Sequence, residues 1–456
     1  MAIVVPFAAL RYDERKVGRL ETVLTQPYDK ITPEMQREYF ARSPFNLAHL
    51  IKGEVRPEDT PENNVYARAT GLFRSWQEQG VFLERSTPTL YVYWQRFDCA
   101  HHRQFCAPGV AGGQPLVRKA LIGLGKLEPY DAGVVFRHEE TLAAPKADRL
   151  ELLRATRAHF EQIFMLYSDP ERRLERRLDE ETAGPPVARV EDDYGVIHLL
   201  WEIESPEKIR AVQEEMRDKK LVIADGHHRY ETGLNFAREC RASRPHAAAS
   251  DCAYLPMTFV NMDAEGIVIL PTHRLVHGVS GLSREGFLAK AAPYFQRGQY
   301  RFFDAETLRA AWQRLRAEMA EAAAQGRTAI GAFFYGADSF DLLELRPEVD
   351  RERLWPELLP AQRSLDVMVL HRIALEQCLG MDEEAVRHER FLTYVREWEE
   401  GVETVLAGKA QACFFLNPVT IEQVREIAMG GRLLPQKSTD FYPKLLSGLV
   451  IYPIRS

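Results

Sequence analysis

The chain has 456 residues, 45% hydrophobic and 10% aromatic, enough for two or three structural units with sizeable buried cores. Its 59 basic and 66 acidic residues sum to −7 and are interspersed, which counts against a broad basic face and makes nucleic acid an unfavoured partner. No apolar run approaches the roughly 18–20 residues of a membrane span, and the start at Met1 lacks a signal peptide's basic region and cleavage site, so a cytoplasmic protein without a membrane partner is expected.

Residues 3–10 alternate around Pro6 as a short strand. Pro27 fixes φ and biases Gln26 toward extended backbone, presenting Tyr28 and Asp29 on a loop before a helix at 33–40 that Asp29 or Thr32 would cap. Asn46 and His49 read as a loop-to-strand passage, and Tyr66, Ala69, Phe73 and Trp76 mark a helix over 66–79. Strands are expected at 89–94 and 121–127, the second with Gly123 and Gly125 permitting close approach. Cys99, Cys106, Cys240, Cys252, Cys378 and Cys413 contain no close CxxC pair, so free and mostly buried thiols are expected rather than disulfides or structural zinc. His101 and His102, between Cys99 and Cys106, read as a polar loop.

A dense polar cluster follows, with Arg137, His138, Glu139, Glu140, Thr141, Lys146, Asp148 and Arg149 placed ahead of an amphipathic helix over 150–166. A solvated charged loop is the plain reading; the mixture of His, Glu, Thr, Lys and Arg is also the side-chain set that handles phosphate and moves protons. Residues 168–193 are charge-rich around Gly184 and two prolines, which suggests a surface excursion. A strand at 196–203, a helix at 206–216 and a strand at 221–224 give a βαβ order.

Residues 221–232 carry the densest chemistry. A short apolar strand meets the turn Asp225-Gly226 and a helix read over 230–240, whose first unpaired N–H groups favour an anion. Arg229 would add a charge-assisted fork, and Asp225 is a ligand-facing carboxylate or a helix cap. The adjacent His227 and His228 diverge by about 100° on a helix, so they do not share a metal; one faces a ligand while the other packs. Strands at 258–262 and 267–270 lead to His273 and Arg274 at a strand end, where α/β sheets place ligands.

The stretch 280–380 reads as supporting structure, with helices at 305–323 and 365–379 and strands at 329–334 and 341–345. A helical segment at 394–405 and a buried strand at 412–416 follow, and Thr420 with Gln423 forms a capping box for a helix at 421–428 that stops at Gly430. In the tail, Lys437, Ser438 and Thr439, followed by Tyr442 and Lys444, suit phosphoryl oxygens, although the glycine pattern of a P-loop is missing. Three parts are expected: 1–190, 191–280 with the Asp-Gly-His-His-Arg run, and 281–456 with the Pro-Gln-Lys-Ser-Thr run.

In order along the chain, Gln-Pro-Tyr-Asp at 26–29, His138 and Glu139 with Thr141, Ala-Asp-Gly-His-His-Arg-Tyr at 224–230, Pro-Gln-Lys-Ser-Thr at 435–439 and the run at 441–448 resemble the bacterial and archaeal family called domain of unknown function 1015. The strand, loop carboxylate and later Asp-Gly-His-His-Arg helix start are also similar to the ParB and sulfiredoxin type of nucleotide-binding fold, which includes free-serine kinases. That resemblance implies an α/β fold with mixed sheets flanked by helices and added subdomains. It places Asp225 to Arg229 at a nucleotide phosphate and makes Asp29 the acid/base carboxylate.

The expectation is a small-molecule phosphotransferase using ATP or ADP, acting on free L-serine or a similar hydroxy amino acid. Asp29, His138, Glu139 and His228 are the catalytic candidates. Asp225, Gly226, His227, Arg229, Lys437, Ser438, Thr439 and Lys444 would hold the nucleotide; Tyr28, Arg149, His273, Arg274 and Tyr442 would meet the substrate. Mg²⁺ would sit on Asp225 or Glu139. A metal-dependent hydrolase using His138, Glu139, Asp225, His227 and His273 is one alternative, and a ParB-like nucleotide- or nucleic-acid-binding protein the other. Homo-oligomerisation is left open.

Overall fold

The computed structural model describes residues 1–98, 115–141, 143–243, 251–387 and 390–455. Cys99, His101, His102 and Cys106 lie outside the described residues. The chain divides into two compact units: unit 1 holds Met1–Arg137, Thr141–Val268 and Phe441–Ser456, and unit 2 holds His138–Glu140 and Ile269–Asp440. Both combine sheets with flanking helices, the α/β class expected.

Unit 1 is built on a nine-stranded mixed sheet. Its strands are β1 (Val4–Val5), β2 (Leu90–Phe97), β3 (Leu116–Lys126), β4 (Val135–Phe136), β5 (Ile163–Tyr167), β6 (Ala188–Glu191), β7 (Ile197–Ile203), β8 (Leu221–Asp225) and β9 (Tyr254–Asn261). The spatial order is β4-β8-β5-β9-β3-β2-β7-β6, with β1 added on β3. Only β4–β8 and β5–β9 pair in parallel. Its longer helices include α1 (Pro33–Arg42), α2 (Val65–Glu78), α3 (Ala143–Thr156), α4 (Pro206–Met216) and α5 (His227–Ser243). Local chemistry starts three of them: the Thr32 hydroxyl accepts from Met35 N at 3.2 Å, the Asn64 side chain accepts from the amides of Tyr66 and Ala67, and Ser205 precedes Pro206 as the cap of α4. Leu121, Met165, Ile223, Tyr230 and Phe259 are buried together in the core.

Several expectations change in unit 1. The βαβ order is present, but β7 and β8, which run parallel, are separated by four strands, so the connection skips across the sheet instead of joining neighbours. The helix read over 150–166 is two elements. Helix α3 already contains Lys146, Asp148 and Arg149 and ends at Thr156; Arg157 takes a left-handed φ of 49°, and Ile163–Tyr167 forms a wholly buried strand. A strand buried on both faces reads as a continuous apolar run, which residue spacing does not separate from a buried helix. Residues Ala48–Ile51 are helical, because the Asn46 side chain accepts from Ala48 N at 2.9 Å. The charged excursion contains a helix, Arg173–Glu180, and strand β6. Strand β9 lies between β3 and β5 at the sheet centre. Cys240 and Cys252 are disulfide-bonded, against expectation, joining the end of α5 to the turn Asp251–Ala253; Cys378 and Cys413 are free and buried. Twelve residues of separation leave no CxxC signal for that pair.

Unit 2 carries a six-stranded antiparallel sheet of β10 (His273–Val276), β11 (Phe295–Arg301), β12 (Ala329–Phe334), β13 (Ser339–Leu345), β14 (Leu392–Val395) and β15 (Ala412–Phe415), in the order β11-β13-β12-β15-β10-β14. Its longer helices are α6 (Arg284–Ala291), α7 (Ala305–Ala324), α8 (Trp398–Leu406) and α9 (Ile421–Met429). Trp312, Leu315, Phe333, Phe340 and Phe415 form its core. The Thr420/Gln423 capping box opens α9 as expected. Two readings shift: residues 392–395 form a strand because they pair with β10, and the 365–379 helix is α-helical only over Asp366–Val369 and π-helical over Leu370–Cys378.

Candidate functional site

Strand β8 delivers Asp225 to the turn at its C-terminal end, and Gly226 reverses the chain with φ of 95° so that α5 begins at His227. Only glycine adopts that backbone freely, and a Cβ there would also press on Ile163 and on the Arg229 guanidinium at 3.0 and 3.1 Å. On the first turn of α5, His227 is buried and His228 half-buried. Helix α5 therefore starts three residues earlier than the 230–240 reading from its apolar spacing.

The junction is a network of matched charges. Asp225 accepts from Arg229 Nη2 at 2.8 Å on one carboxylate oxygen and from Lys444 Nζ at 3.1 Å on the other. Arg229 also donates to the Gln162 carbonyl at 2.6 Å and lies 3.8 Å from Glu161. Burial works to raise the Asp225 pKa, but the adjacent Lys444 and Arg229 outweigh it and hold the carboxyl well below the ordinary range. Burial opposes the charge on Arg229, yet Glu161, Asp225 and Asp29 together raise its pKa. Asp29 is exposed beside this group. Tyr28, next to it, donates its backbone N–H to Glu161 at 3.1 Å and packs its ring 4.2 Å from the Arg149 guanidinium. Burial, with Asp29 and Glu161 nearby, drives the Tyr28 hydroxyl pKa well upward, so it stays protonated.

Lys444 reaches Asp225 because the C-terminal tail is gripped by groups that the residue pattern does not advertise. Arg118 is 1% exposed in β3, stacks 4.6 Å from the Phe164 ring, and donates to the carbonyls of Tyr442 (3.1 Å) and Pro443 and to Gln95 Oε1. Gln95 in turn donates to the Lys444 carbonyl at 2.8 Å. Burial pushes the Arg118 pKa down to about 10, still charged at neutral pH. Arg118, Gln95, Glu161 and Gln162 are the residues that sequence reasoning missed. Their signal is weak, since each is one polar position on or before a strand. Part of the polar cluster plays a different role, in which Arg137, Thr141 and Lys146 converge on Glu231 at 3.2, 2.6 and 2.8 Å.

Unit 2 holds the remaining candidates. His138 is fully buried; its Nε2 lies 2.8 Å from Thr439 Oγ1, which donates to Glu139 at 3.2 Å. Lys437 is exposed with a left-handed φ of 55°, and Ser438 is buried and donates to the Pro435 carbonyl. Arg274 is buried and donates to the Lys437 carbonyl at 3.1 Å; burial brings its pKa down to about 10. His273 accepts from Leu416 N at 3.3 Å, and burial lowers its pKa to about 3, so it is a neutral packing and backbone-bonding group at the beginning of β10. The structure thus groups Tyr28, Asp29, Arg149, Asp225, Gly226, His227, His228, Arg229, Tyr442 and Lys444 in unit 1. It groups His138, Glu139, His273, Arg274, Lys437, Ser438 and Thr439 in unit 2.

Among the described residues, no group of three or more His, Cys, Asp or Glu is placed to hold a metal ion. Both Asp225 oxygens already face cations and Glu139 accepts from Thr439, so neither carboxylate, as arranged, fits a protein-held Mg²⁺ site. No helix is long and apolar enough to cross a membrane among the described residues.

No curated protein matches the sequence. Among solved structures, the free serine kinase in complex with AMP is 12% identical, covering 72% of this chain and 92% of its own with a TM-score of 0.34. A conserved hypothetical protein from Pyrococcus furiosus is 12% identical over 71% of this chain and 90% of its own, TM-score 0.32. SbnI with C-terminal truncation from Staphylococcus aureus is 10% identical over 72% and 85%, TM-score 0.33. Residues 4–368 match the family described as Protein of unknown function (DUF1015), and the chain belongs to that family.

Proposed function

We propose that the chain is a small-molecule phosphotransferase that uses ATP or ADP to phosphorylate the hydroxyl of free L-serine or a similar amino acid, with the reacting groups at the β8–α5 junction. The observation that supports this reading best is the convergence of Arg229 and Lys444 at a strand end and helix start, with the exposed Asp29 near enough to act on Arg229 electrostatically. Phosphoryl transfer is largely a matter of positioning and charge neutralisation, which these groups can supply.

In the proposed reaction, Arg229, Lys444 and the first amides of α5 hold the donor's phosphates. The acceptor hydroxyl oxygen forms a bond to the terminal phosphorus, and the bond from that phosphorus to the bridging oxygen breaks. The hydroxyl proton passes to Asp29, and the nucleotide leaves with one phosphate fewer. Arg149 and Tyr28 shape the neighbouring wall. The test is incubation of the purified protein with labelled ATP or ADP, Mg²⁺ and a panel of hydroxy amino acids. Phosphorylated amino acid is expected, with Lys444→Met lowering turnover about 100-fold, as when one charge-stabilising donor is removed. A protein that gives no phosphorylated product with either nucleotide overturns the reading.

A further inference from the structure

Beside the β8–α5 junction, unit 1 holds a pocket of about 50 Å³ walled by Leu153, Phe160 and Leu255 and by the charged residues Arg149, Glu161 and Arg229. The two carboxylate oxygens of Glu161 differ. Oε1 accepts from Tyr28 N at 3.1 Å and from Ser447 Oγ at 3.2 Å, whereas Oε2 accepts from no described residue and is not sealed from solvent. Arg229 is divided in the same way: Nη1 donates to the Gln162 carbonyl and Nη2 to Asp225, while Nε donates to no described group and also keeps solvent access. Each nitrogen of Arg149, by contrast, already donates, Nε and Nη2 to Asp148 and Nη1 to the Ile51 carbonyl at 2.7 Å. The side chains of Arg229 and Glu161 are only 11% and 7% exposed, approach to 3.8 Å and both line the pocket, which puts one unused donor and one unused acceptor at its wall. Polar atoms on side chains this buried are seldom left without partners.

We propose that this pocket takes the zwitterionic head of a free amino acid, its ammonium group donating to Glu161 Oε2 and its carboxylate accepting from Arg229 Nε. The assignment rests on the phosphotransfer reading of the neighbouring junction and adds to it the groups that select the acceptor. The charges fit, because the ammonium meets a carboxylate and the carboxylate a guanidinium, so the bound head brings in no unmatched charge. The size fits as well: a water-sized group occupies about 10–15 Å³ of such volume, so about 50 Å³ holds roughly four, the count of an ammonium, a CH and two carboxylate oxygens. A hydroxy acid offers Glu161 a neutral hydroxyl in place of the ammonium and loses the charge-assisted bond, and a seryl residue inside a peptide carries neither charge. Glu161 also holds the backbone N–H of Tyr28, next to Asp29, so the carboxylate that selects the amine sets the loop carrying the proposed base.

The probes are L-serine, L-glycerate, in which a hydroxyl replaces the ammonium group, and N-acetyl-L-serine, in which the amine becomes an uncharged amide. Isothermal titration calorimetry on the full chain without nucleotide reads their dissociation constants, and thermal melts verify that the variant folds. L-Serine is expected to bind at least about tenfold tighter than either analogue, the worth of a hydrogen bond between charged groups. Glu161→Gln keeps an oxygen for Tyr28 N and Ser447 Oγ and removes the charge, so it should weaken L-serine about tenfold and bring it level with L-glycerate. The proposal is overturned if the parent protein binds L-glycerate or N-acetyl-L-serine as tightly as L-serine, if L-serine shows no saturable binding below about 50 mM, or if a folded Glu161→Gln protein keeps the preference. Should that variant unfold, the ratio of the three parent constants decides alone. A serine preference in binding without any phosphorylated product sinks the phosphotransfer reading and leaves this site standing; phosphorylation of L-glycerate as readily as L-serine sinks this site and leaves phosphotransfer standing.

Discussion

The substitution Asp225→Asn tests the charge network most directly, since it removes one negative charge while keeping the side chain's shape. Lys444 and Arg229 are 8% and 11% exposed, and Asp225 itself 21%. Removing one partner of a buried ion pair costs about 3–5 kcal/mol because the other charge stays behind in a poor solvent. The lower end applies here: Asp225 is partly exposed, and Arg229 keeps Glu161 at 3.8 Å. A loss of about 3 kcal/mol corresponds to a melting temperature lower by about 6 °C for a unit of this size. The pH dependence has a definite sign. The folded pKa of Asp225 is depressed, so its contribution is fully present above the unfolded carboxylate value near 4 and fades as pH falls toward the folded value. Differential scanning calorimetry should therefore show the full gap between parent and variant at pH 7 and pH 5 and a shrinking gap below about pH 4. Adding Lys444→Met should restore part of the loss, with a coupling of about 0.5–3 kcal/mol. An Asp225→Asn variant that melts within about 1 °C of the parent, or a gap unchanged at pH 3, refutes the account of the network.

Three other outcomes follow from the same geometry. Gly226→Ala, forced to a φ of 95° and against the Arg229 guanidinium, should lose about 1–3 kcal/mol in chemical denaturation and most of any phosphotransfer activity. Arg118→Met removes the donor to two tail carbonyls and should make residues 441–455 the first site of cleavage in limited proteolysis read by mass spectrometry, while an unchanged cleavage pattern would contradict the gripping role. His273 is held neutral with a pKa of about 3, whereas the unfolded chain protonates it below about 6.5. Unfolding thus takes up a proton there, and stability should fall by about 1.4 kcal/mol per pH unit as pH drops from about 6.5 toward 3. Urea midpoints of His273→Gln should show a slope shallower by about one proton across that window.

Much of the local architecture is legible from residue order alone, because its causes are local. Thr32 with Pro33, Ser205 with Pro206 and Thr420 with Gln423 start helices where the capping chemistry places them. The Asp225-Gly226 turn falls between an apolar strand and a helix as its residues require. Errors arise where burial replaces periodicity: Ile163 to Tyr167 are all buried, and an uninterrupted apolar run carries no period to read. The 240–252 disulfide has no local signature because one cysteine sits on α5 and the other in the turn at 251–253, and a spacing of twelve residues does not say that these elements meet.

The chemistry divides in the same way. The sequence by itself determined that this chain has an acidic-basic strand–turn–helix at 221–232, a cationic tail and an exposed loop carboxylate, since these depend on residue type and on turns a few residues long. Only the tertiary structure decided which cation meets which carboxylate. Lys444 reaches Asp225 across 219 positions because buried Arg118 and Gln95 fix the tail's carbonyls, while Lys437 belongs to the other unit. A long-range ion pair depends on where sheet order and buried hydrogen bonds set two distant backbones, and no local pattern encodes that distance.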